Sequence, residues 1–260
     1  MNAPSFLILR TAGTNCDAET LLAVQKAGGS GTVLHVNRLL ERPAVLDDFH
    51  GLILPGGFSY GDDLGAGRIF ANELRLRLRD PIRRFISRGR LVLGICNGFQ
   101  ILVKAGLLPD PDSGEVRVTL GENDSNRFEA RWVRLKVCSS LSEFIKEPAE
   151  FELPVAHGEG KFIPRDAATL DALRKNRQII LTYAGPDGRE GGYPWNPNGS
   201  RDGIAGICDP SGRVLGLMPH PERNADPLHH PAWTRTGPDR VPEGLAFFRN
   251  AADYVRRKLI

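Results

Sequence analysis

Five residues, Leu91-Val92-Leu93-Gly94-Ile95, form an apolar run that ends directly on Cys96-Asn97-Gly98, and Gln100, Ile101 and Leu102 carry the chain on as a helix toward Gly106. A short run that is apolar throughout reads as a strand buried on both faces, and such strands belong to parallel sheets covered by helices. The chain must then turn from strand to helix within a residue or two. That turn demands small residues on either side, which Gly94 and Gly98 supply. The pattern is the thiol counterpart of the Gly-x-Ser-x-Gly elbow, which lifts a nucleophile above the carboxyl edge of a sheet. There the sulfur meets the start of a helix, whose partial positive charge favours an anion, and the Asn97 backbone N–H points toward a bound carbonyl. Free cysteines are often simply buried packing residues, but the strand, the two glycines and the helix together favour a nucleophile at Cys96.

The surrounding pattern supports a sheet of this kind. Phe6–Leu9 reads as another buried strand, with Thr32–Val36 and Leu52–Leu54 as a second and a third. Between the first two, Asn15 is placed to cap a helix that runs through Leu21, Leu22 and Val24 and stops at Gly28-Gly29. This alternation predicts an α/β fold with a central, mostly parallel sheet and helices on both faces. Later runs (Phe128–Val137, Phe151–Val155, Ile179–Tyr183, Ile204–Cys208 and Val214–Met218) are expected as antiparallel additions, and a helix over Glu243–Leu259 closes the chain. No linker interrupts the 260 residues, so one domain is expected, with a Pro- and His-containing insertion at Ala225–Pro242.

Charge excludes some functions. The formal net charge is only +3, less than a nucleic-acid binder usually carries. The densest basic run, from Arg75 through Arg77, Arg79, Arg83, Arg84 and Arg88 to Arg90, alternates with Leu74, Leu76, Leu78, Ile82, Phe85 and Ile86. It reads as an amphipathic helix with a solvated basic face, broken at Pro81; contact with an acidic partner or phosphorylated ligand is the alternative. Cys16, Cys96, Cys138 and Cys208 have neither metal-type spacing nor the pattern of a disulfide framework. With no leader-like start at Met1-Asn2-Ala3-Pro4-Ser5 and no membrane-length apolar stretch, a reducing cytoplasm is expected.

Two more constellations complete a thiol chemistry. Pro55-Gly56-Gly57-Phe58 follows the third strand, so in a parallel sheet it opens on the same edge as Cys96, where the Gly57 backbone N–H can turn inward as a second oxyanion donor. Taken alone it is only a turn. Met218-Pro219-His220-Pro221-Glu222 offers a base, His220, and a carboxylate, Glu222, to hold its tautomer. Cys16 lacks elbow glycines and is expected in a structural or pocket-edge role. His157, in His157-Gly158-Glu159-Gly160, is a second candidate base, expected in a loop near the substrate or a partner. His229-His230 is read as surface rather than as a metal pair, since no Cys or carboxylate cluster accompanies it. Other amide-cleaving α/β thiol hydrolases, and a non-catalytic protein on the same fold, stay open on these residues alone.

Taken in order, Gly-Gly, Cys and His-x-Glu resemble the class I, triad-type glutamine amidotransferases. Further runs carry the resemblance into the branch that serves de novo purine synthesis: Gly13-Thr14-Asn15-Cys16-Asp17, Phe58-Ser59-Tyr60-Gly61-Asp62, Asn123-Asp124-Ser125-Asn126-Arg127-Phe128, His157-Gly158-Glu159-Gly160-Lys161-Phe162 and Pro219-His220-Pro221-Glu222-Arg223. The resemblance implies a flavodoxin-like fold, a Cys96–His220–Glu222 triad and an oxyanion hole from Gly57 and Asn97. It implies glutamine contacts from Gly56, Gln100 and the backbone around Arg127 and Phe128. No metal and no cofactor are expected in this chain. An ATP- and Mg-using synthetase partner, which turns formylglycinamide ribonucleotide into its amidine, and a small accessory subunit are implied. The insertion at 225–242 departs from the family pattern.

Overall fold

The computed structural model describes residues 3–146, 149–237, 239 and 241–260. Among the described residues there are eleven strands: β1 (Ser5–Arg10), β2 (Ser30–His35), β3 (Gly51–Leu54), β4 (Leu91–Ile95), β5 (Val118–Gly121), β6 (Glu129–Val137), β7 (Glu150–His157), β8 (Lys161–Pro164), β9 (Ile179–Ala184), β10 (Ile204–Cys208) and β11 (Val214–Leu217). Nine form one sheet in the order β2-β1-β3-β4-β11-β10-β9-β6-β7, and β5 and β8 make a separate antiparallel pair. The pairs from β2 to β11 are all parallel and those from β11 to β7 all antiparallel. The five parallel strands follow the doubly wound order of flavodoxin-like folds, with β11 as the fifth strand.

The sequence expectation for Val214–Met218 needs correction here, because β11 lies parallel to β4, with Gly216 opposite Gly94 and Leu217 opposite Ile95. The cause is the tight hairpin that precedes it. Asp209 Oδ1 accepts from the N–H groups of Arg213 (2.9 Å) and Val214 (2.8 Å), folding the chain back from β10 so that it runs alongside β4. The carboxyl ends of β3, β4 and β11 therefore open side by side on one edge. Antiparallel pairing would have carried His220 to the opposite edge from Cys96.

Helices α1 (Asp17–Lys26), α2 (Val36–Glu41), α3 (Arg68–Glu73), α4 (Arg79–Ser87), α5 (Asn97–Lys104), α6 (Ala167–Lys175), α7 (Trp233–Thr236) and α8 (Leu245–Lys258) complete the architecture. β1 steps to β2 in one direction and β3 to β4 in the other, so right-handed crossovers place α1 and α3–α4 on opposite faces. α1 packs with α8, and α3 with α5. Asn15 lies outside α1: the cap position belongs to Cys16, whose side chain makes no capping bond, and the helix stops before Gly28 at φ +75°. The irregularity expected at Pro81 falls just before it, at Leu78, whose φ −119° and ψ 3° depart from helical values. A π-turn over Leu74–Leu78 precedes α4 and absorbs the proline, whose ring would otherwise collide with a carbonyl one turn back. Leu74, Leu78, Ile82, Phe85 and Ile86 are buried, whereas Leu76 joins the arginines at the surface.

The antiparallel half does not continue flat. Strand β7, four places from β11 in the sheet, comes back over the edge that carries Cys96 and His220, where Pro154 O accepts the His220 N–H at 2.8 Å. In the 225–242 insertion, of which Pro238 and Arg240 lie outside the described residues, His230 reaches Trp132 of β6 and Glu152 of β7. His230 is buried against Trp132 and pairs with Glu152 at 3.1 Å, which corrects the surface assignment for that residue; His229 is exposed.

Candidate active site

Cys96 occupies the point where β4 becomes α5, with φ 51° and ψ −104°. Such a conformation costs a non-glycine residue about 1–3 kcal/mol and is retained only where neighbours over-determine it. Here they do. Cys96 N–H donates to Leu217 O at 2.8 Å, and Cys96 O accepts from Gln100 N–H at 3.1 Å. Gly98 is pressed so closely on β3 that a Cβ there would sit 1.9 Å from Leu54 O. The elbow is thus held between its two parallel neighbours, β3 and β11. Cys96 is buried, and its Sγ lies 3.7 Å from Ala156 O of β7.

His220 and Glu222 emerge from β11 onto the same edge. Both are sealed from solvent, and Nδ1 of His220 lies 2.6 Å from Oε1 of Glu222. An ionised carboxylate only accepts, so Nδ1 carries the hydrogen and Nε2 is left for proton exchange. Nε2 has no protein hydrogen-bond partner among the described residues, nor has Oε2 of Glu222. Burial opposes charging of this imidazole. The Glu222 carboxylate, helped by Cys96 and Cys16, outweighs burial and raises the His220 pKa well above its usual value.

The predicted Gly-Gly turn closes the third side. Gly57 has φ +141°, a region open to glycine, and bridges Thr14 in the loop after β1. The neighbouring Phe58 N–H is already committed to Gly13 O at 2.9 Å. A Cβ on Gly56 would lie 2.7 Å from the His220 ring, so only glycine lets this turn lie flat against the imidazole. Asn97, the first residue of α5, uses its side chain internally: Oδ1 accepts from Ser59 N–H (3.3 Å) and Nδ2 donates to Gln100 Oε1 (2.9 Å).

Other predicted residues fall differently. Gln100 is buried, with Oε1 taken by Asn97 and Nε2 donated to Glu159 O, so it ties the elbow to the turn after β7. The Arg127 carbonyl accepts from Asn123 Nδ2 at 2.9 Å, and the half-exposed ring of Phe128 faces Phe58 at 6.3 Å. The glycine-rich stretch after Tyr60 is pinned: Ala66 N–H donates to Glu159 Oε1 at 3.2 Å and Gly67 N–H to Asp62 Oδ1 at 3.2 Å. His157 is not in a loop but ends β7.

Cys16, expected in a structural or pocket-edge role, lies beside His220. Its Sγ lies 4.0 Å from His220 Nδ1 and accepts from the Arg223 guanidinium at 3.1 Å, while burial raises its pKa. Cys16 Sγ, a His220 nitrogen and a Glu222 oxygen fall within 4.8 Å of one another. A metal ion there would have to displace the Glu222 hydrogen bond next to a guanidinium, which makes it a poor cation site. What sequence reasoning missed is the backbone of β7. Pro154 O and Ala156 O reach His220 and Cys96, yet a carbonyl leaves no trace in residue identity.

The CobB/CobQ-like glutamine amidotransferase domain matches residues 3–255. A Dehalococcoides mccartyi protein described as phosphoribosylformylglycinamidine synthase subunit PurQ is 46% identical over 259 residues, covering 99% of this chain and all of the relative. The protein of the same description from Picrophilus torridus is 44% identical, covering 96% of this chain and 98% of its own. Among solved structures, that of PurLQS from Thermotoga maritima contains a chain 30% identical, with a TM-score of 0.75, covering 98% of this chain and 100% of that one.

Proposed function

The chain belongs to the CobB/CobQ-like glutamine amidotransferase family, and from that premise we propose that it is the glutaminase subunit of a phosphoribosylformylglycinamidine synthase. It releases ammonia from glutamine and hands it to a synthetase subunit that makes formylglycinamidine ribonucleotide in purine synthesis, with a small accessory subunit in the complex. ATP and Mg are used on the synthetase partner. No helix among the described residues is long and apolar enough to cross a membrane, and the proposed location is the cytoplasm.

The observation that carries the mechanism is the alignment of the carboxyl ends of β3, β4 and β11, which brings Gly57, Cys96 and His220 to one edge. Cys96 gives its thiol proton to Nε2 of His220, and the thiolate attacks the carboxamide carbon of glutamine. The backbone N–H groups of Gly57 and Asn97 hold the oxyanion, a contribution of roughly 3–4 kcal/mol per donor in comparable sites. Protonated His220 gives its proton to the departing ammonia, and a glutamyl thioester remains. His220, now neutral, takes a proton from water as the water attacks the thioester, and glutamate leaves with the thiol restored. Glu222 fixes the tautomer and stabilises the imidazolium, while Gly56 leaves room for the ring. Gln100 and the backbone at Arg127 and Phe128 shape the glutamine pocket.

The test is Cys96→Ala in the assembled complex. Glutamine-dependent amidine formation should fall by about 10⁴-fold or more while added ammonia still supports it. Retained glutamine turnover would sink the assignment.

A further inference from the structure

His157 is buried at the end of β7 and takes no part in the chemistry above. Its protonation can be settled from its neighbours. Asn123 donates from Nδ2 to two carbonyls, Arg127 O at 2.9 Å and His157 O at 2.8 Å, which fixes the amide orientation. Its Oδ1 then accepts from Gly160 N–H and faces His157 Nδ1, each at 3.1 Å. An amide oxygen only accepts, so Nδ1 of His157 carries the hydrogen and Nε2 presents a lone pair. Burial, reinforced by the nearby charge of His220, pushes this imidazole's pKa down to about 3, so it stays neutral. The ring cannot swing away on the Gly160 side, where even a Cβ would sit 2.4 Å from Nδ1.

Nε2 is thus a fixed acceptor, sealed from solvent, with no donor among the described residues. A buried acceptor left unmade loses its full solvation, so such a group calls for a ligand. The strand that carries it passes over both reacting side chains, with Pro154 O at 2.8 Å from His220 N and Ala156 O at 3.7 Å from Cys96 Sγ. We propose that His157 Nε2 accepts an N–H of the glutamine carboxamide and thereby selects the amide over the carboxylate of the product glutamate. A carboxylate has no hydrogen to offer, and its oxygen would face the lone pair. The inference rests on the glutaminase reading above.

Its test compares turnover with alkylation in the assembled complex. His157→Leu should lower kcat/KM for glutamine by about 10–100-fold. A chloroketone analogue, in which a chloromethyl group replaces the amide nitrogen, has no N–H to lose, so its labelling of Cys96 should stay within about threefold of wild type. His157→Gln, whose carbonyl can accept the same N–H, should recover turnover to within about tenfold of wild type. Parallel loss of labelling and turnover in His157→Leu, with wild type labelled normally, overturns this inference alone, as does a His157→Gln variant as impaired as His157→Leu. Failure of the wild-type protein to be labelled overturns the glutaminase reading and this inference with it.

Discussion

The two halves of the sheet contribute to the site in different ways. The parallel half, β2 through β11, delivers side chains: Cys96, His220 and Glu222 stand on loops that leave adjacent strands at one edge. The antiparallel half delivers backbone and shape. Strand β7 folds over that edge and offers the carbonyls of Pro154 and Ala156 and the locked imidazole of His157. Parallel strands must all end on the same side, so their loops converge without further instruction. An antiparallel extension has no such guarantee, and its place over the site depends on how far the sheet curls. Changes in the parallel half should therefore act on the chemistry, and changes in the overlying half on how the substrate is held.

Beyond the loss at Cys96, the largest effect is expected at Gly98→Ala. Its methyl group would meet Leu54 O at 1.9 Å, with backbone on both sides and nothing flexible to yield. A loss of about 3 kcal/mol or more in urea unfolding of the full chain is expected. A cost below about 1 kcal/mol would show that α5 is not held by β3 as described.

Glu222→Gln should come next, with kcat for glutamine reduced roughly 100-fold and alkylation of Cys96 less affected. It also has a pH signature. The folded-state pKa of His220 is raised, so the stability gained from its charge is fully present below the unfolded value of about 6.5 and is lost as pH rises through the higher folded value. Unfolding measured across a pH series should show that alkaline decline in the wild type and a flatter curve in Glu222→Gln. An unchanged curve would mean that Glu222 is not the partner that holds the charge.

The smallest effect sharpens the contrast within the parallel half itself. Cys16 and Cys96 are both buried, both occupy helix N-cap positions and both lie near His220. Only Cys96 has elbow geometry; Cys16 has φ −101° and ψ 13° and its sulfur is engaged by Arg223. Cys16→Ala should leave glutamine turnover within about threefold and cost about 1 kcal/mol of stability. A hundredfold loss of turnover would place Cys16 in the catalytic machinery.

Much of this was legible in the chain before any coordinates. Uninterrupted apolar runs such as Leu91–Ile95 announce strands buried on both faces, and β3 and β4 are buried throughout. The three loops at the site were marked by glycine or proline, two of them beside a reactive side chain. Other features were not legible. The direction of β11 turns on a hairpin closed by Asp209, a residue with no chemical signature of its own. The π-turn before Pro81, the strand position of His157 and the burial of His230 all depend on contacts between distant segments.

The sequence by itself determined which residues can do chemistry and that several of them leave strand ends, because local geometry at a tight turn admits few residue types. The tertiary structure alone decided that β11 lies beside β4 and that β7 arches over both. Pairing and curl are set by the sum of many non-local contacts, and no single residue records them.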